Sequence, residues 1–414
     1  MTEIDAWLEA QTRASARGIA ACMSRTDLVK YRAGFGGTVT PVPGSILASP
    51  STAYGPGEPD YFFHWTRDAA LVMNAVPALV RADDRSADWP RLFREWVAFE
   101  AALGRLDGSR IDAGDRTGVQ PDFVRFLRPA EELAALHGEA VAGDVRFNPD
   151  GTLDTIRWSR PQHDGAALRA LVIRRCLAAG LEAPEAASLI ETDLDYTEAH
   201  AGAECVDVWE ESSAAHYDTV LVQYAALQAG RRHAAAERLA RALDAYWSNT
   251  DGALRCALPP ESRKTLDMAV ILGVLHAGLE RGPHSVHDGR VQATLAALER
   301  HFAAAFPINR GSSKGILCGR YPGDRYVTGG PWYITSLAAA EFRYRRAAAG
   351  NAATRHLVAE ADALLTAIRR TTPPSGALSE QIDPEAGTQA SARDLGWSHA
   401  AFLTAAAARR AALG

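Results

Sequence analysis

Cysteine is scarce in this sequence of 414 residues: there are five, at positions 22, 176, 205, 256 and 318, scattered and never as CxxC. An odd, dispersed set excludes a disulfide framework or a thiolate zinc site, and fits buried free thiols in a reducing cytoplasm. Long apolar runs are missing too, since no stretch of uncharged apolar residues approaches the roughly 20 residues of a membrane span. The first residues, Met1-Thr2-Glu3-Ile4-Asp5, hold no cationic patch leading into an apolar run, so a soluble, non-exported protein is expected. Basic excess is absent: 44 Lys+Arg against 50 Asp+Glu leave a net charge of −6. Nucleic acid and anionic membranes are therefore not expected as partners. HExxH and GxxxxGK[ST] do not occur, and the glycines between Gly34 and Gly37 lack the strand-turn-helix setting of a dinucleotide site. The histidines show no ligand spacing, so no metal and no cofactor are expected, and His64 and His163 read as polar residues of a pocket or loop.

What remains is mostly helix. Apolar residues make up 47% of the chain, enough for a large core. Apolar positions recur at helical spacing in Glu3–Met23, Asp68–Arg81, Trp89–Leu106, Asp164–Ala179, Pro184–His200 and Ser213–Ala229. The pattern continues in Arg232–Trp247, Thr265–Gly278, Val286–Phe302, Trp332–Ala348, Ala353–Arg370 and Ser398–Ala412. About twelve helices result, with few and short strand signals and no regular repeat, which counts against a solenoid. Most of these segments are Ala/Leu-rich on more than one side, as in helices covered on both faces. The expectation is an all-α chain, a single unit over residues 1–414, with loops gathered at one end of a closed helical assembly. The long Gly/Pro-rich loop Tyr31–Thr66 closes on aromatics and reads as functional.

Chemistry concentrates in Cys205-Val206-Asp207-Val208-Trp209-Glu210-Glu211-Ser212-Ser213. Adjacent side chains diverge, so Glu210 and Glu211 do not clasp one bond from both flanks. A proton-donating carboxyl there needs a partner from elsewhere, and burial against Trp209 beside like charges favours its protonated form. The plainer alternative is a cap, with Glu211 in the first turn of the helix running to Leu227.

Four loops mix aromatic and polar residues: Tyr61 to Asp68, Trp158 to Gly165, Gly319 to Tyr326 leading to Pro331-Trp332, and Leu378 to Asp383 with Arg393 to Trp397. Sugars present C–H patches and a fence of hydroxyls, so aromatic faces flanked by Asp, Glu and Arg suit them. Asp68 and Asp164 also stand at helix starts, where capping alone accounts for them.

Taken in order, Gly44-Ser45-Ile46-Leu47, Tyr61…Trp65-Thr66-Arg67-Asp68, Arg160-Pro161-Gln162…Asp164-Gly165, Asp207…Trp209-Glu210-Glu211, Gly319-Arg320-Tyr321-Pro322 and Ser379-Glu380-Gln381…Trp397 resemble the glucoamylase family, glycoside hydrolase family fifteen. The resemblance implies an (α/α)6 barrel and an inverting exo-hydrolase. It implies Glu210 as general acid, Glu380 as general base and Glu211 as a ligand of the leaving-side sugar. Arg67 and Asp68 would hold the terminal glucose and Arg320 would bridge the subsites. Tyr61, Trp65, Trp158, Trp209, Tyr326, Trp332 and Trp397 would line the pocket, and Gln381 would support the base. Departures at Ser212–Asp218, Gly323 and His64 fall where the resemblance places the leaving-group side.

The expected activity is release of β-glucose from malto- or isomalto-oligosaccharides, α-1,4 ahead of α-1,6, in the cytoplasm, by a monomer or weak oligomer. Isomaltose-specific hydrolysis and trehalose cleavage are alternatives within the class. A sugar-binding or regulatory domain is the rival, since fold does not fix function; an isomerase depends on histidine acid/base pairs, and the histidines here lie outside the acidic centres of these loops except His64 and His163.

Overall fold

The computed structural model describes residues 3–53, 55, 57–112, 114, 116–260, 264–350 and 353–414; positions 54 and 56 of the 31–66 loop lie outside them. Among the described residues, two concentric rings carry the fold. The inner ring is Thr66–Met73, Gly165–Ala178, Tyr217–Ala229, Ala269–Ala277, Tyr333–Ala347 and Gly396–Leu413. Each packs on the next in that order and the last returns to Thr66–Met73, so the ring closes. Glu3–Ala20, Trp89–Leu103, Ala186–Ala199, His233–Leu243, Gly289–Ala305 and Thr354–Thr371 form the outer ring. This is the all-α (α/α)6 barrel expected from the sequence.

Burial separates the rings as the residue patterns require. In Ala269–Ala277 every residue except His276 is buried. Thr354–Thr371 instead buries Leu357, Ala361, Leu364, Leu365, Ile368 and Thr371, a single stripe at helical spacing. Small residues let inner helices approach: a Cβ on Gly273 would lie 2.6 Å from the Cα of Asp218 on the neighbouring helix.

Several helices are shorter than periodicity predicts. Asp68–Arg81 divides into Thr66–Met73 and Val76–Arg81, because Pro77 lacks the N–H that would bond to the Met73 carbonyl. Ser213–Ala229 begins at Tyr217, since Ser213–His216 is a strand pairing with both Cys205–Val206 and Ala257–Leu258. Glu211 therefore precedes a strand and caps no helix. The strands are two to four residues long and sit in the loops at the N-terminal ends of the inner helices.

Behind that end lies a buried ionic network. His64 Nε2 is 3.0 Å from Glu100, and its Nδ1 accepts the Ile46 N–H at 2.9 Å. Nε2 thus carries the ring proton and donates it to the carboxylate. Glu100 also accepts from Arg169 at 2.6 Å and Trp96 at 2.9 Å, and Arg169 pairs with Asp193. His64 is accordingly a structural residue that fixes the strand carrying Trp65, and it lies outside the pocket. His163 likewise sits behind the wall, 2.7 Å from the Tyr196 hydroxyl, with burial pushing it down to about 4.

Candidate active site

Loops ahead of five inner helices enclose a cavity of about 460 Å³. Trp65, Arg67 and Asp68 come from the start of Thr66–Met73, and Trp158 from the loop before Gly165–Ala178. Trp209, Glu210 and Glu211 stand on the loop before the strand that leads into Tyr217–Ala229. Arg320, Tyr326 and Trp332 precede Tyr333–Ala347; Glu380 and Trp397 flank the start of Gly396–Leu413. Tyr61 completes the lining. Helix N-termini carry partial positive charge, so this end of the barrel favours carboxylates.

The two carboxyl groups singled out by sequence face this cavity in contrasting settings. Oε1 of Glu210 accepts from Trp65 Nε1 at 3.0 Å, Gln162 Nε2 at 3.0 Å and Arg67 at 3.4 Å. No described side chain bonds to Oε2, so a proton on this carboxyl resides on Oε2. The main chain of Glu210 adopts a φ of 65°, a left-handed conformation held in part by Ser159, whose hydroxyl donates to the Glu210 carbonyl at 2.7 Å. The indole touching Glu210 belongs to Trp65. Its sequence neighbour Trp209 donates its N–H to Asp267 at 2.8 Å and packs edge-on against Trp332.

Glu380 is bonded at both oxygens. Tyr61 donates to Oε1 at 3.0 Å and Ser391 donates to Oε2. Burial pushes its carboxyl up to about 7, against the opposing pull of those two hydroxyls and of Arg320. Asp68 is likewise raised to about 7 by burial and by the nearby Glu210 and Asp164, with Arg67 acting in the opposite direction. Arg67 is spanned by Gln162, Asp164 at 3.1 Å and Glu210, which locks its guanidinium in place.

At the mouth, Glu211 is held at both oxygens: Arg320 at 2.7 Å and Lys264 at 2.7 Å, with Tyr321 adding its hydroxyl. Arg320 is further fixed by Asp324, and its cation lies over the rings of Trp209, Tyr326 and Trp332.

Gln381 departs from expectation. It is fully buried, accepts from Thr328 at 2.8 Å and donates to the Tyr326 carbonyl at 3.1 Å. It fixes the loop bearing Tyr326, and its side chain forms no hydrogen bond with that of Glu380. Besides Tyr61, it is Ser391 that donates to Glu380, and sequence reading missed it. Gln389–Ala390 pairs with Gln381–Ile382 in a hairpin around Pro384 and Gly387, and that register brings 391 to 380. The turn residues were the available signal. Lys264 and Asp324 carried none, their partners lying far off in sequence or inside one loop.

Comparison with known proteins agrees with this geometry. The model of the family "Glycosyl hydrolases family 15" matches residues 36–97 and 143–407. Glucoamylase-1 of Schizophyllum commune is 29% identical over 430 residues, covering 89% of this chain and 69% of the relative. The probable glucoamylase of Schizosaccharomyces pombe is 28% identical, covering 90% and 86%. In fold, the Hormoconis resinae glucoamylase structure superposes with a TM-score of 0.80 at 24% identity, covering 98% of this chain and 74% of that one. The chain therefore belongs to glycosyl hydrolases family 15 and is a glycoside hydrolase acting on glucosides.

Proposed function

We propose that this protein is an inverting exo-α-glucosidase that releases β-D-glucose from the non-reducing ends of malto- or isomalto-oligosaccharides. The observation that carries the reading is the pair of carboxyls on one cavity with opposite hydrogen-bond settings. Inversion needs a protonated carboxyl on the glycosidic oxygen and a carboxylate that activates water on the far face of the ring. Glu210, whose Oε2 has no bond to a described side chain and can carry a proton, takes the acid's part in this reading. Glu380, accepting two hydroxyl donors, suits the base, and a carboxyl raised to about 7 is a stronger base than an ordinary glutamate.

Exo action is supported by the burial gradient. Arg67 and Glu380 are buried, whereas Trp158 on the same cavity is 37% exposed, which marks the mouth. A chain entering such a cavity presents its terminal sugar to Arg67 and Asp68. Glu211, held by Arg320, Tyr321 and Lys264, then meets the leaving sugar. Gln381 acts in this reading by positioning Tyr326. Five buried free thiols support a reducing, cytoplasmic setting, and among the described residues no helix is long and apolar enough to cross a membrane.

Products from maltose, isomaltose, kojibiose, nigerose and trehalose test the reading. Glucose is expected from maltose or isomaltose, with the α-1,4 substrate ahead, and trehalose remains intact. Preferred cleavage of trehalose would overturn the assignment.

A further inference from the structure

Residues 98–142 lie between the two stretches that the family model matches. This segment is nonetheless docked onto the rim of the active site. Leu127 forms an antiparallel bridge with Ile156, flanked by Arg128 N–H to the Thr155 carbonyl and Arg157 N–H to the Phe126 carbonyl, both at 2.7 Å. That register sets Phe126 directly opposite Arg157, and residues opposite each other across antiparallel strands share a face. Arg157 lines the cavity and is followed by the exposed Trp158.

The same segment leaves an aromatic surface in solvent. Phe126 is 42% exposed, with the Arg125 guanidinium 4.8 Å from its ring centre. Phe123 supports it edge-on at 5.9 Å and is itself braced by Phe35 at 5.4 Å. Close approach of Phe123 to Gly34 requires the glycine, since a Cβ there would fall 2.3 Å from the Phe123 ring. The ring is thus held from below, with arginine forks beside it, which is the chemistry of a sugar platform.

We propose that Phe126, with Arg125 and Arg157, forms an additional subsite for the reducing-end units of longer oligosaccharides. The inference rests on the α-glucosidase reading above. With the terminal glucose at the closed end, a chain of three or more units leaves past the exposed residues of the mouth, and Arg157 joins that mouth to Phe126. A segment outside the matched family core then sets the preference of this chain for length, while the matched core performs the hydrolysis.

The test compares kcat/KM for the four-unit and two-unit members of the series that the wild-type chain cleaves. Phe126→Ala is expected to lower the four-to-two ratio about three- to tenfold, and Phe126→Tyr to keep it. Because the side chain is exposed, the thermal transition of both variants should stay with the wild type. An active wild-type chain whose ratio survives Phe126→Ala overturns the subsite alone. A wild-type chain that cleaves neither length overturns the α-glucosidase reading itself.

Discussion

At Glu380 two opposing effects are balanced, and their signs make a prediction. Burial raises the carboxyl towards 7, while the hydroxyls of Tyr61 and Ser391 stabilise its charged form and pull it down. The base works deprotonated, so kcat/KM falls as pH drops through this value. Ser391→Ala removes a bond that lowers it, and the acid limb of the pH profile is expected to move to higher pH. A limb that stays in place or moves down would contradict the assignment of Glu380. The residues themselves were legible because loop aromatics and carboxylates stand out in an Ala/Leu-rich chain. Their partners were not: Ser391 meets Glu380 only through a hairpin register, and the indole that bonds to Glu210 is that of Trp65, distant in sequence, not that of adjacent Trp209.

Elements were legible wherever periodicity and packing agree. The amphipathic outer helices announce themselves, and Thr354–Thr371 falls within one or two residues of its expected limits. Inner helices are buried all round and give no stripe by which to judge their ends, so Thr265–Gly278 shortens to Ala269–Ala277. Strands of two residues leave no period at all. Contact between inner helices also reverses a propensity argument at Gly273. Gly→Ala in a helix ordinarily gains roughly 0.5–1 kcal/mol. Here the new methyl would meet the Asp218 backbone, and overpacking of this kind costs roughly 1–3 kcal/mol. Gly273→Ala is expected to lower the denaturant midpoint with an unchanged slope; a raised midpoint would show that the two helices have room to part.

For the molecule as a whole, ring closure turns scattered sequence into one site. Inner helices start at the same end, so residues as far apart as Trp65 and Glu380 converge on one cavity, and each loop can vary while the barrel holds the rest. The order of motifs along the chain disclosed that architecture, whereas the pairing of Leu127 with Ile156, between the two matched stretches, had to be seen folded. The central claim is that Glu210 and Glu380 act on opposite faces of one sugar ring. It is tested most directly by following the anomeric proton signals of glucose by NMR in the first minutes of turnover. The β-anomer is expected to accumulate first and then mutarotate; initial appearance of the α-anomer would contradict the account.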